Sequence, residues 1–157
     1  MAENLTITSS TKEGKYKELL PQIQSLVEGE NDMIANMANI CSALKYGMGF
    51  FWVGFYIVKG NELVLGPFQG TLACTRIAKG KGVCGAAWEK NETLIVEDVD
   101  QFPGHIACSS LSKSEIVIPI LDNNNVIGVL DVDSDQLASF NKTDEIWLKK
   151  ITELLIK

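Results

Sequence analysis

Two apolar runs on either side of a short polar turn constrain this chain more than any other feature. Ile116-Val117-Ile118-Pro119-Ile120 and Val126-Ile127-Gly128-Val129-Leu130 flank Asp122-Asn123-Asn124-Asn125. That spacing predicts an antiparallel strand pair hinged at the asparagines. Ser112-Lys113-Ser114-Glu115 leads into the first run and Asp131-Val132-Asp133 ends the second, so three carboxylates gather at the starts and ends of neighbouring strands. Alternation along a strand puts Asp131 and Asp133 on one face and Val132 on the other. Acids opposite a buried valine are ordinarily solvated. Just upstream, however, Gly104-His105-Ile106-Ala107-Cys108 brings a thiol near them. The alternative is a small pocket holding one sulfur and several acids.

The rest of the chain reads as a frame for that pair. Residues 1–9 form a polar, loosely held tail. Ser10-Thr11-Lys12-Glu13 matches a capping box, and Tyr16, Leu19, Leu20, Ile23, Leu26 and Val27 recur on one helical face, with a kink or restart expected at Pro21. A second helix begins near Asn31 or Asp32, buries Ile34, Met37, Cys41 and Leu44, and ends at Gly47 and Gly49. The β-rich run 50–58 turns through Lys59-Gly60-Asn61-Glu62 into 63–68. Then come a Gly-punctuated stretch (70–82) with an apolar segment at Leu72-Ala73-Cys74, a short helix (83–91) and a strand at Leu94-Ile95-Val96. Glu97 to Ser114 is a long loop, a length more often functional than idle. The last helix starts near Asn141 or Thr143, favoured by Asp144 and Glu145 in its first turn, and packs Ile146, Trp147, Ile151, Leu154 and Leu155. Hairpin-like links predict an α+β domain: an antiparallel sheet with helices gathered to one side, spanning 1–157 as one domain.

Charge and composition narrow the partners. The net charge is −6 without a basic run, so nucleic acid and anionic membranes are poor partners. No apolar stretch approaches the ~20 residues of a membrane span, and Met1-Ala2-Glu3-Asn4 lacks the features of a signal peptide. The expected compartment is the cytoplasm, where thiols stay reduced. Cys74, Cys84 and Cys108 are too widely spaced for C-x-x-C chemistry, and the sole histidine, His105, completes no zinc set with them, so no metal is expected. Cys41, on a continuous helical stripe, is a small core residue. Gly80-Lys81-Gly82-Val83-Cys84-Gly85 fits G-x-G-x-x-G literally, but the helix after it is too short and the strand order wrong for a dinucleotide site. Close backbone packing explains its glycines.

Each cysteine taken alone is as plausibly inert as reactive. Cys108 stands apart because Ser109, Ser110 and Ser112 surround it in a polar loop, with Lys113 and His105 near in sequence. Glu115, Asp131 and Asp133 admit three readings: solvated strand ends, a hard-cation site, or a pocket for a ligand ammonium. Calcium would want a loop with more oxygens. Crowded carboxylates raise one another's pKa, so such a cluster offers both an anion and a neutral acid. Trp52 and Tyr56, four apart on one strand, share a face with Gly54 between them.

These residues resemble the free methionine-R-sulfoxide reductase family, which has a GAF fold. The resemblance rests on Phe68-Gln69-Gly70, Ala73-Cys74, Gly82-Val83-Cys84-Gly85, Val96-Glu97-Asp98-Val99, the string Phe102-Pro103-Gly104-His105-Ile106-Ala107-Cys108, Ser114-Glu115-Ile116-Val117, and Gly128-Val129-Leu130-Asp131-Val132-Asp133-Ser134. It implies a GAF-like antiparallel sheet with the N- and C-terminal helices on one side and active-site loops on the other. It also implies that Cys108 is the attacking thiol, Cys74 the principal resolving thiol and Cys84 a third cysteine acting as alternative resolver or relay. Glu115, Asp131 and Asp133 are similar to the family's substrate-binding acids, and Trp52 and Tyr56 to its aromatic wall. The family often has an acid directly after the nucleophile. Here it is Ser109, which should ease thiolate formation. The implied chemistry reduces free methionine-R-sulfoxide with no bound cofactor, recycled by an external thioredoxin and NADPH system. GAF domains often pair through their terminal helices, so a homodimer is expected. The competing expectation is a non-enzymatic GAF sensor of a small ligand or of redox state.

Overall fold

The computed structural model describes residues 4–156. Strands β5 (Ser114–Asp122) and β6 (Asn125–Ser134) form the expected hairpin, with Asn123 and Asn124 both at positive φ, as a two-residue type I′ turn requires. Strand β1 (Trp52–Lys59) lies against the other edge of β6 and turns through Gly60 into β2 (Glu62–Gln69). A three-residue strand, β3 (Arg76–Ala78), extends β2, and β4 (Leu94–Val96) extends β5. The order is β3-β2-β1-β6-β5-β4, antiparallel throughout. Strand β3 was not expected from the sequence; three residues between glycine- and lysine-rich stretches are too few to show a period.

Both faces of the sheet are covered, by different elements. Val53, Phe55, Ile116, Ile118, Ile120, Leu130 and Val132 pack under α1 (Lys12–Val27), α2 (Met33–Met48) and α4 (Lys142–Glu153). Trp52, Tyr56, Val117 and Val129 point the other way, under α3 (Gly82–Lys90) and the long loops. The α+β layering follows expectation, with one difference: the short helix α3 stands on the loop side, away from the other three. That second cover is why Asp131, opposite the buried Val132, is not solvated but only 6% exposed.

Several local expectations fail for physical reasons. Helix α1 is capped by Thr11, whose hydroxyl accepts from Gly14 N at 3.1 Å; Glu13 pairs with Lys17 instead of closing a box with Ser10. The helix runs unbroken through Pro21, which is exposed, so its lost hydrogen bond faces water while Leu19 and Ile23 on either side hold the core. Leu5 and Ile7 pack on that core, and Thr8 N donates to Glu18 at 2.7 Å, so the tail from residue 4 onward is tied down. Residues 1–3 lie outside the described residues. In α2 burial begins only at Asn36, leaving Ile34 52% exposed in the first turn. Gly47 does not end that helix. A Cβ there would sit 2.9 Å from Leu19, so Gly47 allows α1 and α2 to approach, and Gly49 at positive φ makes the cap. In α4 the buried stripe is Asp144, Leu148, Ile151 and Thr152, continued past the helix by Leu155, which turns Ile146 to solvent.

Helices α1 and α4 are locked by one buried carboxylate. Asp144 accepts from Tyr16 Oη at 2.7 Å, from Lys12 Nζ at 2.6 Å and from Asn141 N at 2.9 Å. No helix among the described residues is long and apolar enough to cross a membrane.

Candidate active site

Strand register decides which side chains meet on the loop face. Trp52 is paired with Asp133, Gly54 with Asp131, and Glu115 with Asp133 across the other side of β6. Directly opposed residues share a face, so the three acids and both aromatics converge. Tyr56 lies one pair further along, opposite Val129. Helix α3 then lowers Cys84 onto the acids. It can come close because a Cβ on Gly85 would fall 2.5 Å from the Ala78 carbonyl oxygen. Gly85 of the G-x-G-x-x-G string thus serves helix-on-strand packing, while Gly80 and Gly82 lie at positive φ on the approach to α3.

The two loops close the cavity. Cys74, in the β2–β3 connection, is disulfide-bonded to Cys108, in the long loop before β5, with their Cα atoms 5.4 Å apart. Cys41 and Cys84 are free and buried. The enclosed space, about 40 Å³, is lined by Cys108, Cys84, Glu115, Asp131, Asp133 and the two aromatics, among others. Such a volume admits one to a few water-sized groups. The aromatic polar atoms face the Cys74 loop: Tyr56 Oη donates to Cys74 O and Trp52 Nε1 to Thr71 O, each at 2.9 Å. The indole also stacks on Phe68, with centroids 5.5 Å apart.

Burial sets the electrostatics. Glu115 is pushed well above the usual carboxylate range by desolvation and then by the charges of Asp131 and Asp133. Asp133, half-buried beside Ser112, moves up for the same reasons. Asp131 is raised to about 6 by burial, with hydrogen bonds from Glu115 and Cys84 holding it below the others. Asp131 is therefore the most readily ionised of the three, with Glu115 and Asp133 biased toward their neutral forms. Cys84 donates to Glu115 at 3.8 Å, and desolvation beside the acids keeps its thiol neutral. Asp131 Oδ1 and His105 Nδ1 are buried without partners among the described residues. Burial lowers the His105 pKa against the pull of Asp100, so its ring is neutral.

What the arrangement can do follows from these states. An unpartnered buried carboxylate oxygen beside neutral acids suits a small cationic group that also carries a hydrogen-bond acceptor. The exposed edge of Cys108 leaves its sulfur open to an incoming thiolate. Ligand atoms of Cys84, Glu115 and Asp131 lie within 4.8 Å of one another, close enough to hold a metal ion, although two of the three would first have to lose protons.

The GAF domain family model matches residues 29–155. GAF domain-containing protein A of Dictyostelium discoideum is 62% identical over 99% of both chains. The free methionine-R-sulfoxide reductase of Escherichia coli is 44% identical, across 90% of this chain and 87% of that one. The crystal structure of free methionine-R-sulfoxide reductase from Neisseria meningitidis in complex with its substrate superposes with a TM-score of 0.95 at 53% identity, covering 97% of this chain and 92% of that chain. The chain belongs to the free methionine-R-sulfoxide reductase family of GAF-domain proteins.

Within this GAF domain, all eight residues singled out from the sequence lie around the cavity or in its closing disulfide. Lys113, weighed as a neighbour of Cys108, is exposed and outside the lining. Three contributors were missed. Ser112 hydrogen-bonds Asp133, Phe68 backs Trp52, and Thr71 receives the indole N–H. A serine in a serine-rich loop carries no distinguishing signal. The Phe68 stack needs the β1–β2 register, which sets Gly54 opposite Phe68.

Proposed function

We propose that this protein reduces free methionine-R-sulfoxide to methionine. The observation that carries the reading is the meeting of Cys108 with Glu115, Asp131 and Asp133 on one small cavity. Its relatives of that name, one bound to its substrate, support it.

In this reading the anionic Asp131 pairs with the substrate ammonium while a neutral acid, Glu115 or Asp133, hydrogen-bonds the sulfoxide oxygen. Trp52 and Tyr56 form the apolar wall. The Cys108 thiolate attacks sulfur, and the oxygen is carried off as a sulfenic acid on Cys108 while methionine leaves. Cys74 thiolate then displaces that oxygen as water, with the acids supplying protons, and the disulfide forms. The sum is balanced: one sulfoxide and two thiols give one thioether, one disulfide and one water. Two thiols supply both electrons, so no bound cofactor is needed. Cys84, neutral and buried, is the third cysteine, poised on the acids. An external dithiol of the thioredoxin type, itself reduced by NADPH, attacks the exposed Cys108 side of the disulfide and restores the enzyme. Such a cycle suits a reducing compartment, the cytoplasm, and one GAF domain suffices for it; pairing into a homodimer through the terminal helices adds nothing to the chemistry. Peptide-bound substrate is rejected because an amide in place of the ammonium leaves the buried carboxylate unpaired.

The test is NADPH consumption with a thioredoxin system and each sulfoxide epimer in turn. Turnover of the R epimer of the free amino acid, abolished by Cys108→Ser, is expected. Silence with both epimers would favour the sensor reading, and retained turnover in Cys108→Ser would remove Cys108 from its role.

A further inference from the structure

We infer that Tyr56, assisted by Trp52, is a positioning residue for Cys74: its hydroxyl holds the β2–β3 connection where the resolving thiol reaches Cys108. The inference rests on the reading of Cys74 as resolving thiol. It concerns the polar atoms of the two aromatics, whose rings alone the proposed wall requires.

The segment from Gly70 to Thr75 is poorly supplied with other anchors. Leu72 is 89% exposed, Gly70 is at φ +142°, and Thr71 and Thr75 lie on the surface. Two side-chain bonds tie it to the sheet, Tyr56 Oη to Cys74 O and Trp52 Nε1 to Thr71 O, with Leu65 N to Thr75 O closing its far end. Both donors come from buried rings on β1, near the centre of the sheet and among its best-packed strands. A rigid donor gripping the carbonyl of the reacting residue itself limits where that residue's sulfur can go. Closing a disulfide across 34 residues of chain depends on the effective concentration of one thiol at the other. Without the hydroxyl, the reduced loop samples more conformations in which Cys74 lies away from Cys108, while the closed disulfide holds the loop regardless.

One neutral hydrogen bond contributes about 0.5–1.5 kcal/mol, which bounds the effect at roughly 2- to 12-fold in the equilibrium constant for disulfide closure. The reaction read is Cys74–SH plus Cys108–SH plus glutathione disulfide giving the protein disulfide and two glutathione thiols; two electrons and two protons pass to glutathione. The full chain is equilibrated across a series of glutathione ratios, thiols are trapped by alkylation, and the Cys74–Cys108 peptide is quantified by mass spectrometry. Tyr56→Phe should lower the closure constant about five-fold, equivalent to roughly 20 mV. Trp52→Phe should lower it in the same direction. Tyr16→Phe is the control: it removes a more deeply buried hydroxyl bond, to Asp144 on the other face of the sheet, and should lower stability without moving the closure constant. A closure constant in Tyr56→Phe within 1.5-fold of the parent overturns the inference, as does an equal shift in Tyr16→Phe. No sulfoxide is present, so a protein inactive as a reductase would still report; absence of the Cys74–Cys108 peptide in the parent would overturn the pairing itself.

Discussion

Replacing Asp131 with asparagine should stabilise the folded protein at neutral pH while ending its use of substrate. Asp131 sits only 6% exposed beneath α3, and burial lifts its pKa from 3.8 to about 6. At about 1.36 kcal/mol per pH unit, ionising it in the fold costs about 3 kcal/mol. A raised pKa penalises the charged form. Below about pH 4 the carboxyl is protonated in both folded and unfolded chains and there is no cost; the cost grows toward pH 6 and stays constant above. Asp131→Asn carries no such charge, so the gap between variant and parent should open across that interval in favour of the variant. Its ceiling is about 3 kcal/mol, which at 157 residues is about 6–12 °C in Tm. Glu115 and Asp133 set the discount. Both are raised in part by the Asp131 charge, so in the variant each ionises more readily and returns some of the cost. The assay is reversible urea unfolding of the disulfide form at steps from about pH 4 to pH 7. Side-chain packing differences shift all pH values equally, so the pH dependence isolates the charge. A gap that stays flat, or that turns toward the parent as pH rises, would refute the reasoning.

Cys74→Ser should release a single methionine per enzyme in the first turnover and then stop, because the sulfenic acid on Cys108 lacks its partner; full dithiol-dependent cycling would transfer resolution to Cys84. Asp144→Ala should destabilise by roughly 3 kcal/mol, since it strands Tyr16 Oη in the core and frees Lys12. A urea midpoint within error of the parent would show that the α1–α4 lock contributes nothing. Raising pH from about 5 to 7 should tighten binding of free methionine as Asp131 ionises and an anion becomes available to the ammonium. Calorimetry showing weaker binding at the higher pH would rule out that carboxylate as the partner.

Periodicity carried most of the fold. The α1, α2 and α4 stripes, the turn at Asn123-Asn124 and the apolar runs of β1 and β6 are all local patterns, and each gives its element the right type and nearly the right bounds. Where it failed, the missing information was tertiary. Ile34 has the spacing of a core residue, but no cover reaches the first turn of α2. The tail looked loose because Gln22 and Glu18, which bind it, lie on a helix whose outer face reads as solvated. The depth of the site was hidden likewise. Asp131 and Asp133 read as surface acids until α3 is laid over them, and α3 has room there only because Gly85 lacks a side chain.

The meeting of the three acids depends on one further feature that alternation alone misplaces. Counting back from the turn, Asp122 pairs with Asn125 and Leu121 with Val126, a register that would set Glu115 opposite Val132 and leave Asp131 and Asp133 on the helix side. A bulge at Ile127 inserts one residue, so Ile120 pairs with Gly128 and Glu115 with Asp133. One residue of slip exchanges the two faces of a strand. Without it, Asp131 and Asp133 would point into the aliphatic core under α1, α2 and α4, away from Glu115. Gly128 marks the spot in the sequence: a Cβ there would lie 2.6 Å from the Tyr56 carbonyl oxygen, so the strand next to the bulge tolerates only glycine. The chemistry attributed to this cavity thus rests on a backbone irregularity that lies four and six residues from the two aspartates it turns inward.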